Sequence, residues 1–218
     1  MAETAVSTFL VFGGTGQTGQ HFVSQALAEG HRVRALARTP SKFRQTNANL
    51  DVHQGSITDQ IDLDELLRGV DYVVSMLGDI QLQKTRQVNT EFVRQLIPAM
   101  RRQGVTRFLY QAGGFSKPPY KRLSPVVWAL KNTIARKFLA QHADNEAVMK
   151  YLVDEADDIE WMVHRSALGS DGPSKGTLER SARSISVAPF TDCAAYNLRT
   201  VRDASAIHTC DPSVYRKG

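Results

Sequence analysis

A chain of 218 residues is long enough for one sizeable core or two small ones, and at that length it buries roughly 70% of its unfolded surface without any staple. Hydrophobic residues make up 42% and charged residues 22%, an ordinary globular balance. Two cysteines, Cys193 and Cys210, exclude a disulfide framework, and there is no CxxC pair for metal or redox work. No apolar stretch approaches the roughly 20 residues that span a bilayer. Met1 to Thr8 lacks a basic region followed by a long apolar one, as a secretory signal would require. A soluble, cytoplasmic protein with no membrane partner is expected. The formal charge of +5 and pI near 9.3 raise the question of nucleic acid. Arg101, Arg102 and Arg107 fall around one helix end and the following turn, a routine place for cations. With no nucleic-acid-binding motif in the chain, no direct contact with nucleic acid is expected.

In chain order, the apolar run Phe9-Leu10-Val11-Phe12 predicts a strand that stops at Gly13-Gly14-Thr15-Gly16-Gln17-Thr18-Gly19. A first helix follows, with Phe22, Val23, Ala26 and Leu27 on its buried face and Gly30 as a left-handed stop. Arg32 to Ala37 predicts a second strand and Asp51 to Gly55 a third. Ile61 to Arg68 reads as a helix closed by Gly69, and Asp71 to Gly78 as a fourth strand ending in a glycine loop. Thr85 to Gln103 predicts a long helix, with Val88, Phe92, Leu96 and Met100 spaced by four and a kink at Pro98. Arg107 to Gln111 predicts a fifth strand, then Ala112-Gly113-Gly114. Beyond a Pro- and Lys-rich loop, Phe115 to Pro125, the chain reads as helix from Val126 to Ala156 with a break near Ala140. A sixth strand spans Asp158 to His164, and Arg165 to Ser184 is a long polar loop of the sort that closes over a ligand. Ile185 to Ala188 predicts a short strand, Phe190 to Val201 a helix and Ala206 to Thr209 a last strand.

Strand and helix alternating five times predict an α/β fold: a doubly wound parallel sheet with right-handed crossovers. Ligands in such sheets lie at the carboxyl ends of the strands, where every glycine loop above falls. In the first loop Gly13 permits a tight turn, Gly16 lets the backbone approach a pyrophosphate, and Gly19 lets the helix pack closely on the strand. Free N–H groups and the positive end of the helix dipole then face the loop, so an anion settles there. Arg38 stands at the end of the second strand, roughly twenty residues past the glycines, where an NAD-selective site places a carboxylate. No acid lies between Arg32 and Asn49, and Arg38 is followed by Thr39, Ser41 and Lys42. A guanidinium there forks onto a 2′-phosphate, so NADP(H) is the expected cofactor; the alternative is a solvated arginine at a strand end.

On Gly13 to Gly19, Arg38, Gly55-Ser56-Ile57-Thr58-Asp59, Asp71 to Ser75, Asn89, Gly104 to Phe108 and Glu160 to Arg165, the chain resembles the atypical short-chain dehydrogenase/reductases. The likeness is to the NmrA-like, NAD(P)H-binding branch that includes flavin and biliverdin reductases. The resemblance implies a single Rossmann domain over 1–218, with a cofactor half over about 8–115 and a substrate pocket from the C-terminal third. It places Thr15, Gln17 and Thr18 with the loop glycines against the cofactor. Ile57 and Asp59 fall near the adenine with Ser56 beside them. Met76, Leu77 and Gly78 line the ribose side, and Gln111 and Ala112 lie nearer the nicotinamide. Members of this group usually carry a Tyr-x-x-x-Lys pair and an upstream Ser. None of the six tyrosines here has Lys four residues on, and Gln111-Ala112 stand where that Ser is expected. The family's Pro after the sixth-strand Arg is Ser166. The candidate catalytic groups are therefore Gln111, as a neutral donor to a substrate carbonyl; Tyr120, in the loop beyond Gly113-Gly114; and His164, at the end of the sixth strand. The alternatives are a structural amide, a loop aromatic and a hydrogen-bonded histidine in a half-buried strand. No His/Cys/carboxylate cluster has metal-ligand spacing. The expectation is an NADP(H)-dependent oxidoreductase that exchanges hydride with a conjugated small molecule such as a flavin, quinone or aromatic natural product. A non-catalytic NADP(H)-binding regulator and a redox-neutral isomerase or dehydratase remain alternatives, and the oligomeric state is left open.

Overall fold

The computed structural model describes residues 5–43, 45–167 and 169–216; Met1 to Thr4, on which half of the secretory-signal reading falls, lie outside the described residues. Strands β1 (Thr8–Phe12), β2 (Arg32–Ala37), β3 (Leu50–Gln54), β4 (Tyr72–Ser75), β5 (Arg107–Gly113) and β6 (Glu160–Ser166) form a parallel sheet. With Cys210–Asp211 added beside β6 it has seven strands, and its spatial order is third, second, first, fourth, fifth, sixth, then that last strand. The order reverses between β1 and β4, which is where a doubly wound sheet opens a crevice.

Both faces of the sheet are covered, so the central strands are apolar on both sides. Phe9 and Val11 of β1 pack into the layer with α1 (Gln17–Ala28), whereas Leu10 and Phe12 pack into the opposite layer. The second layer holds α2 (Leu63–Leu67) and the long helix α4 (Val88–Gln103); the short helix α3 (Ile80–Gln83) precedes α4. Helices α5 (Pro125–Asn132) and α6 (Leu139–Glu155) follow β5, and α6 packs on α4. Strand β7 (Leu178–Arg180) and helix α7 (Phe190–Thr200) follow β6, and α7 lies against α1. The chain closes with β8 (Cys210–Asp211) and β9 (Ser213–Tyr215), and β9 pairs with β7 in a separate two-stranded ribbon.

The departures from the sequence reading have local causes. Ile80–Gln83 forms a helical turn inside an expected loop because Asp79 Oδ1 accepts from Gln81 N at 3.2 Å and Leu82 N at 3.1 Å. The helix expected from Thr85 begins at Val88, and the one expected over 61–68 shrinks to Leu63–Leu67, capped by Asp62. The helical break falls at Thr133–Phe138, before Ala140. Pro98 sits inside α4, where the sequence puts it. Ile185–Ala188 is not a strand, since β9 already pairs with β7 and Ser186 N donates only a single bond to Ser213 O, at 2.9 Å. Asp203 caps a 3₁₀ turn over Ala204–Ala206, which displaces the final strand to Cys210–Asp211.

Candidate active site

The carboxyl ends of β1 and β4 meet at the glycine turn. Gly13 adopts φ +82°, and a Cβ there would sit 2.6 Å from the Met76 carbonyl oxygen. A Cβ at Gly19 would come within 2.1 Å of Gly13 O. The turn is therefore closed tightly enough that only glycine fits at either position. Gly16 is the N-cap of α1; no side chain caps this helix and no acid occupies its first turn. Helical geometry leaves the first N–H groups without intrahelical acceptors. A cradle of unpaired amides at the positive end of a helix dipole fits the diphosphate of a dinucleotide.

Two cavities flank this cradle. The smaller, about 230 Å³, is walled by Gly13, Thr15, Gly16, Arg38, Lys42, Ser56, Ile57 and Asp79 among others. Arg38 donates to Asp79 Oδ2 at 3.0 Å. Asp79 was not singled out by the sequence; its signal is its place as the cap of a helix directly after the Gly78 loop. The Leu82 N–H, the Arg38 guanidinium and the Gln81 N–H all hold its carboxyl below the usual range against an opposing burial effect. Asp59 lines neither cavity; its carboxylate accepts from Ser56 N at 2.9 Å and shapes the turn that presents Ser56 and Ile57.

The larger cavity, about 520 Å³, is walled by Gln17, Thr18, Gln111 and Ala112 on the sheet side and by Phe138, His142 and Asn145 on the α6 side. Gly16, Met76, Leu77 and Gly78 line both cavities, so the two form one cleft across the strand ends. Gly19 lines neither and acts through the packing of α1 on the turn.

The α6 wall is held by buried polar groups. The Asp144 carboxylate accepts from Asn89 N and Thr90 N at 3.0 Å each, from Thr90 Oγ1 at 2.8 Å and from Gln83 Nε2 at 2.9 Å. It thereby caps α4 from a different helix and pins α6 beside the cleft. Next to it, Tyr110 Oη donates to Asn145 Oδ1 at 2.6 Å and accepts from Asn89 Nδ2 at 3.1 Å. Burial pushes the Tyr110 phenol well above its ordinary range. Ser116 Oγ sits 3.0 Å from His142 Nδ1 and accepts from Asn145 Nδ2 at 3.4 Å. His142 is buried, and desolvation, with the nearby Lys131 charge, lowers its pKa to about 4. Its Nε2 has no hydrogen-bond partner. The sequence reading missed Phe138, His142 and Asn145. Their one available signal is spacing, since Phe138 and His142 stand four apart at the start of a helix and so share a face.

The three catalytic candidates separate. Gln111 lines the large cavity. His164 does not; its Nδ1 lies 2.6 Å from Asn197 Oδ1 and its Nε2 2.9 Å from Ser213 Oγ, and burial lowers its pKa to about 4. Asn197 Nδ2 in turn donates to Gln111 Oε1 at 2.7 Å, so His164 stands behind Gln111 and fixes its amide through one intermediary. Tyr120 lies outside both cavities, 78% exposed, with its hydroxyl donating to Asp154 Oδ1 at 2.5 Å. No group of three or more His, Cys, Asp or Glu among the described residues is placed to hold a metal. No helix among them is long and apolar enough to cross a membrane.

Fold and cleft together define a nucleotide-binding protein of the Rossmann class. The chain belongs to the NAD(P)H-binding family, whose pattern matches residues 13–189. It is 31% identical over 121 residues to a 3-beta-hydroxysteroid dehydrogenase of Mycolicibacterium neoaurum, covering 50% of this chain and 33% of that one. It is 34% identical over 85 residues to the isoflavone reductase homolog IRL of Zea mays, covering 35% and 28%. The matched stretches thus span about a third of the length of these relatives. Among solved structures it is similar to ChuY, described as an anaerobillin reductase from Escherichia coli O157:H7. The TM-score is 0.76 at 17% identity, over 97% of this chain and 98% of that one. The family makes this an NAD(P)H-binding chain, and the relatives it matches in part are named a dehydrogenase and a reductase homolog.

Proposed function

We propose that the protein is an NADP(H)-dependent oxidoreductase that exchanges hydride with a conjugated small molecule. The observation that carries this reading is the continuous cleft: a small basic compartment and a larger one lined by no charged side chain share the glycine turn as their common wall. Arg38, Lys42 and Ser56 would hold the 2′-phosphate end, the α1 amides the diphosphate, and Met76 to Gly78 with Gln111 and Ala112 the nicotinamide end. The bound nicotinamide supplies the hydride. The chain's own contribution is to position the acceptor and offer neutral donors from Gln111 and the α6 wall. No lysine and no tyrosine lines the larger cavity among the described residues, so the reading takes the proton from water. Phe138, the N-cap of α6, and His142, four residues on, line it instead.

Calorimetry with NADPH and NADH on the wild type and Arg38→Ala tests the cofactor part. Charged hydrogen bonds contribute about 1.5–3 kcal/mol, so the variant should lose roughly 10- to 100-fold in NADPH affinity and little in NADH affinity. Equal losses for both overturn the assignment. Consumption of NADPH in the presence of a panel of quinones and flavins tests the catalytic part. Tight NADPH binding with a flat trace across the panel would favour a cofactor-binding regulator in place of an enzyme.

A further inference from the structure

We infer that α5 and its flanking turns, residues 116–138, form a surface that docks on an anionic lipid bilayer. The inference goes beyond the cofactor reading and does not depend on it. It departs from the sequence expectation of no membrane partner, which rested on the lack of a spanning stretch; lying in the headgroup layer requires none. Two independent observations support it. First, α5 has no partner in the fold. Ser124 caps it, accepting from Val127 N at 3.3 Å, and Pro125 opens it, so the helix is started locally. Val126 to Leu130 are all apolar, yet no residue of the helix is buried. Val126 is 68% exposed, Trp128 61% and, in the turn beyond, Ile134 76%. Single exposed apolar residues are ordinary, whereas contiguous ones mark a docking surface.

Second, the same stretch carries Lys117, Lys121, Arg122, Lys131, Arg136 and Lys137 and no Asp or Glu. These six exceed the formal excess of +5 for the whole chain, so the remainder is close to neutral. Lys131 pairs with Glu146. The other five are exposed, and none of them pairs with a carboxylate among the described residues. Glu146 and Asp154, which approach the stretch from α6, are already taken up by Lys131 and Lys150. Arg101, Arg102 and Arg107, by contrast, are matched by Asp158, Asp64 and Glu160. The uncompensated positive charge therefore surrounds α5.

Charge and shape together select the occupant. Lys and Arg heads reach lipid phosphates while their stems lie along apolar surface, and a tryptophan settles at the headgroup level. Each cation close to an anionic bilayer adds about fivefold to partitioning. A second copy of the chain fits worse, because a two-fold pairing would set this patch against its own cations. Nucleic acid would meet the cations and Trp128 but offers Val126 and Ile134 no apolar medium. A rigid acidic protein also fits worse: Val126 and Trp128, two residues apart, point to different sides of α5, and covering both needs a medium that closes round the helix.

The test uses the full chain and sucrose-loaded vesicles of phosphatidylcholine alone or with about 30% phosphatidylserine. Sedimentation should show partitioning at least about tenfold stronger onto the anionic vesicles, weakening by about tenfold or more between about 0.1 M and about 0.5 M salt. Equal partitioning onto both vesicles, or none onto either, overturns the proposal. Bromine on the acyl chains should quench tryptophan emission in the wild type and not in Trp128→Ala, since Trp161 is buried. Quenching that is absent from the wild type, or that survives in Trp128→Ala, overturns the role of α5. Lys121→Glu, Arg122→Glu and Arg136→Glu together should cost at least about tenfold in partitioning with the urea midpoint unchanged, because all three side chains are exposed. The same reversal at the exposed Arg32, Arg68 and Lys84 should cost less than about threefold; equal losses would make net charge the cause and overturn the assignment. Duplex DNA bound more tightly than the vesicles, or dimers in light scattering that Trp128→Ala abolishes, would name a different occupant and overturn the bilayer.

Discussion

The two walls of the cleft are built from different material. The wall at β1 and α1 is backbone: amides at a helix start, held open by glycines whose missing Cβ atoms would collide with Met76 O and Gly13 O. The wall at α6 is side chain: Asn145 and His142, positioned by partners at the strand ends, with Asp144 anchoring the helix to α4 behind them. The contrast extends to the two buried histidines. His164 has both ring nitrogens bonded and lies outside the cavity. His142 has one nitrogen bonded and lines it. A backbone wall recognises what every dinucleotide shares, its phosphates. A side-chain wall distinguishes one acceptor from another.

The largest expected effect breaks the side-chain wall at its root. Asp144→Ala leaves the Asn89 and Thr90 N–H groups and the Gln83 amide without their buried acceptor, while the Thr90 hydroxyl keeps the main-chain oxygen of residue 144, and it should lower the unfolding free energy by about 3 kcal/mol or more. Urea unfolding measures it, and a loss below about 1 kcal/mol would mean that water replaces the carboxylate at little cost. Next comes the backbone wall. Gly19→Ala forces a methyl against Gly13 O and should weaken NADPH binding about 100-fold, or about 2.7 kcal/mol, by calorimetry. An unchanged affinity would show that the turn is not the phosphate cradle.

The histidines sharpen the comparison through pH. Each titrates at 6.5 when unfolded and near 4 when folded, so between those values the unfolded chain binds protons that the folded one does not. Stability therefore falls as pH is lowered through that window, by about 2 kcal/mol per histidine from pH 7 to pH 5. His142→Phe should remove about half of the drop the pair causes, as read from urea midpoints at the two pH values. A drop identical to wild type would place the folded titration of His142 near its ordinary value. The smallest effect belongs to Tyr120→Phe. The lost hydroxyl serves only an exposed contact with Asp154 and Lys150, so stability should change by less than about 0.5 kcal/mol and quinone turnover by less than twofold. A tenfold fall in turnover would return this residue to the site.

The sequence by itself determined the backbone wall. A strand, three glycines three apart and an amphipathic helix are local features, and their geometry follows from steric limits within about twenty residues; Arg38 at the end of β2 was legible for the same reason. The alternation of strand and helix gave the parallel sheet, since crossover handedness admits few other arrangements. Only the tertiary structure decided the α6 wall. Asn89, Tyr110, Ser116 and His142 are each unremarkable in sequence, and they become one hydrogen-bonded chain because α4, β5 and α6 converge at the strand ends. The same convergence buried His164 behind Asn197 and left Tyr120 in solvent, although the sequence offers both as candidates beside Gln111. Local sterics can be read along a chain; which buried polar atom ends without a partner depends on contacts between residues tens of positions apart.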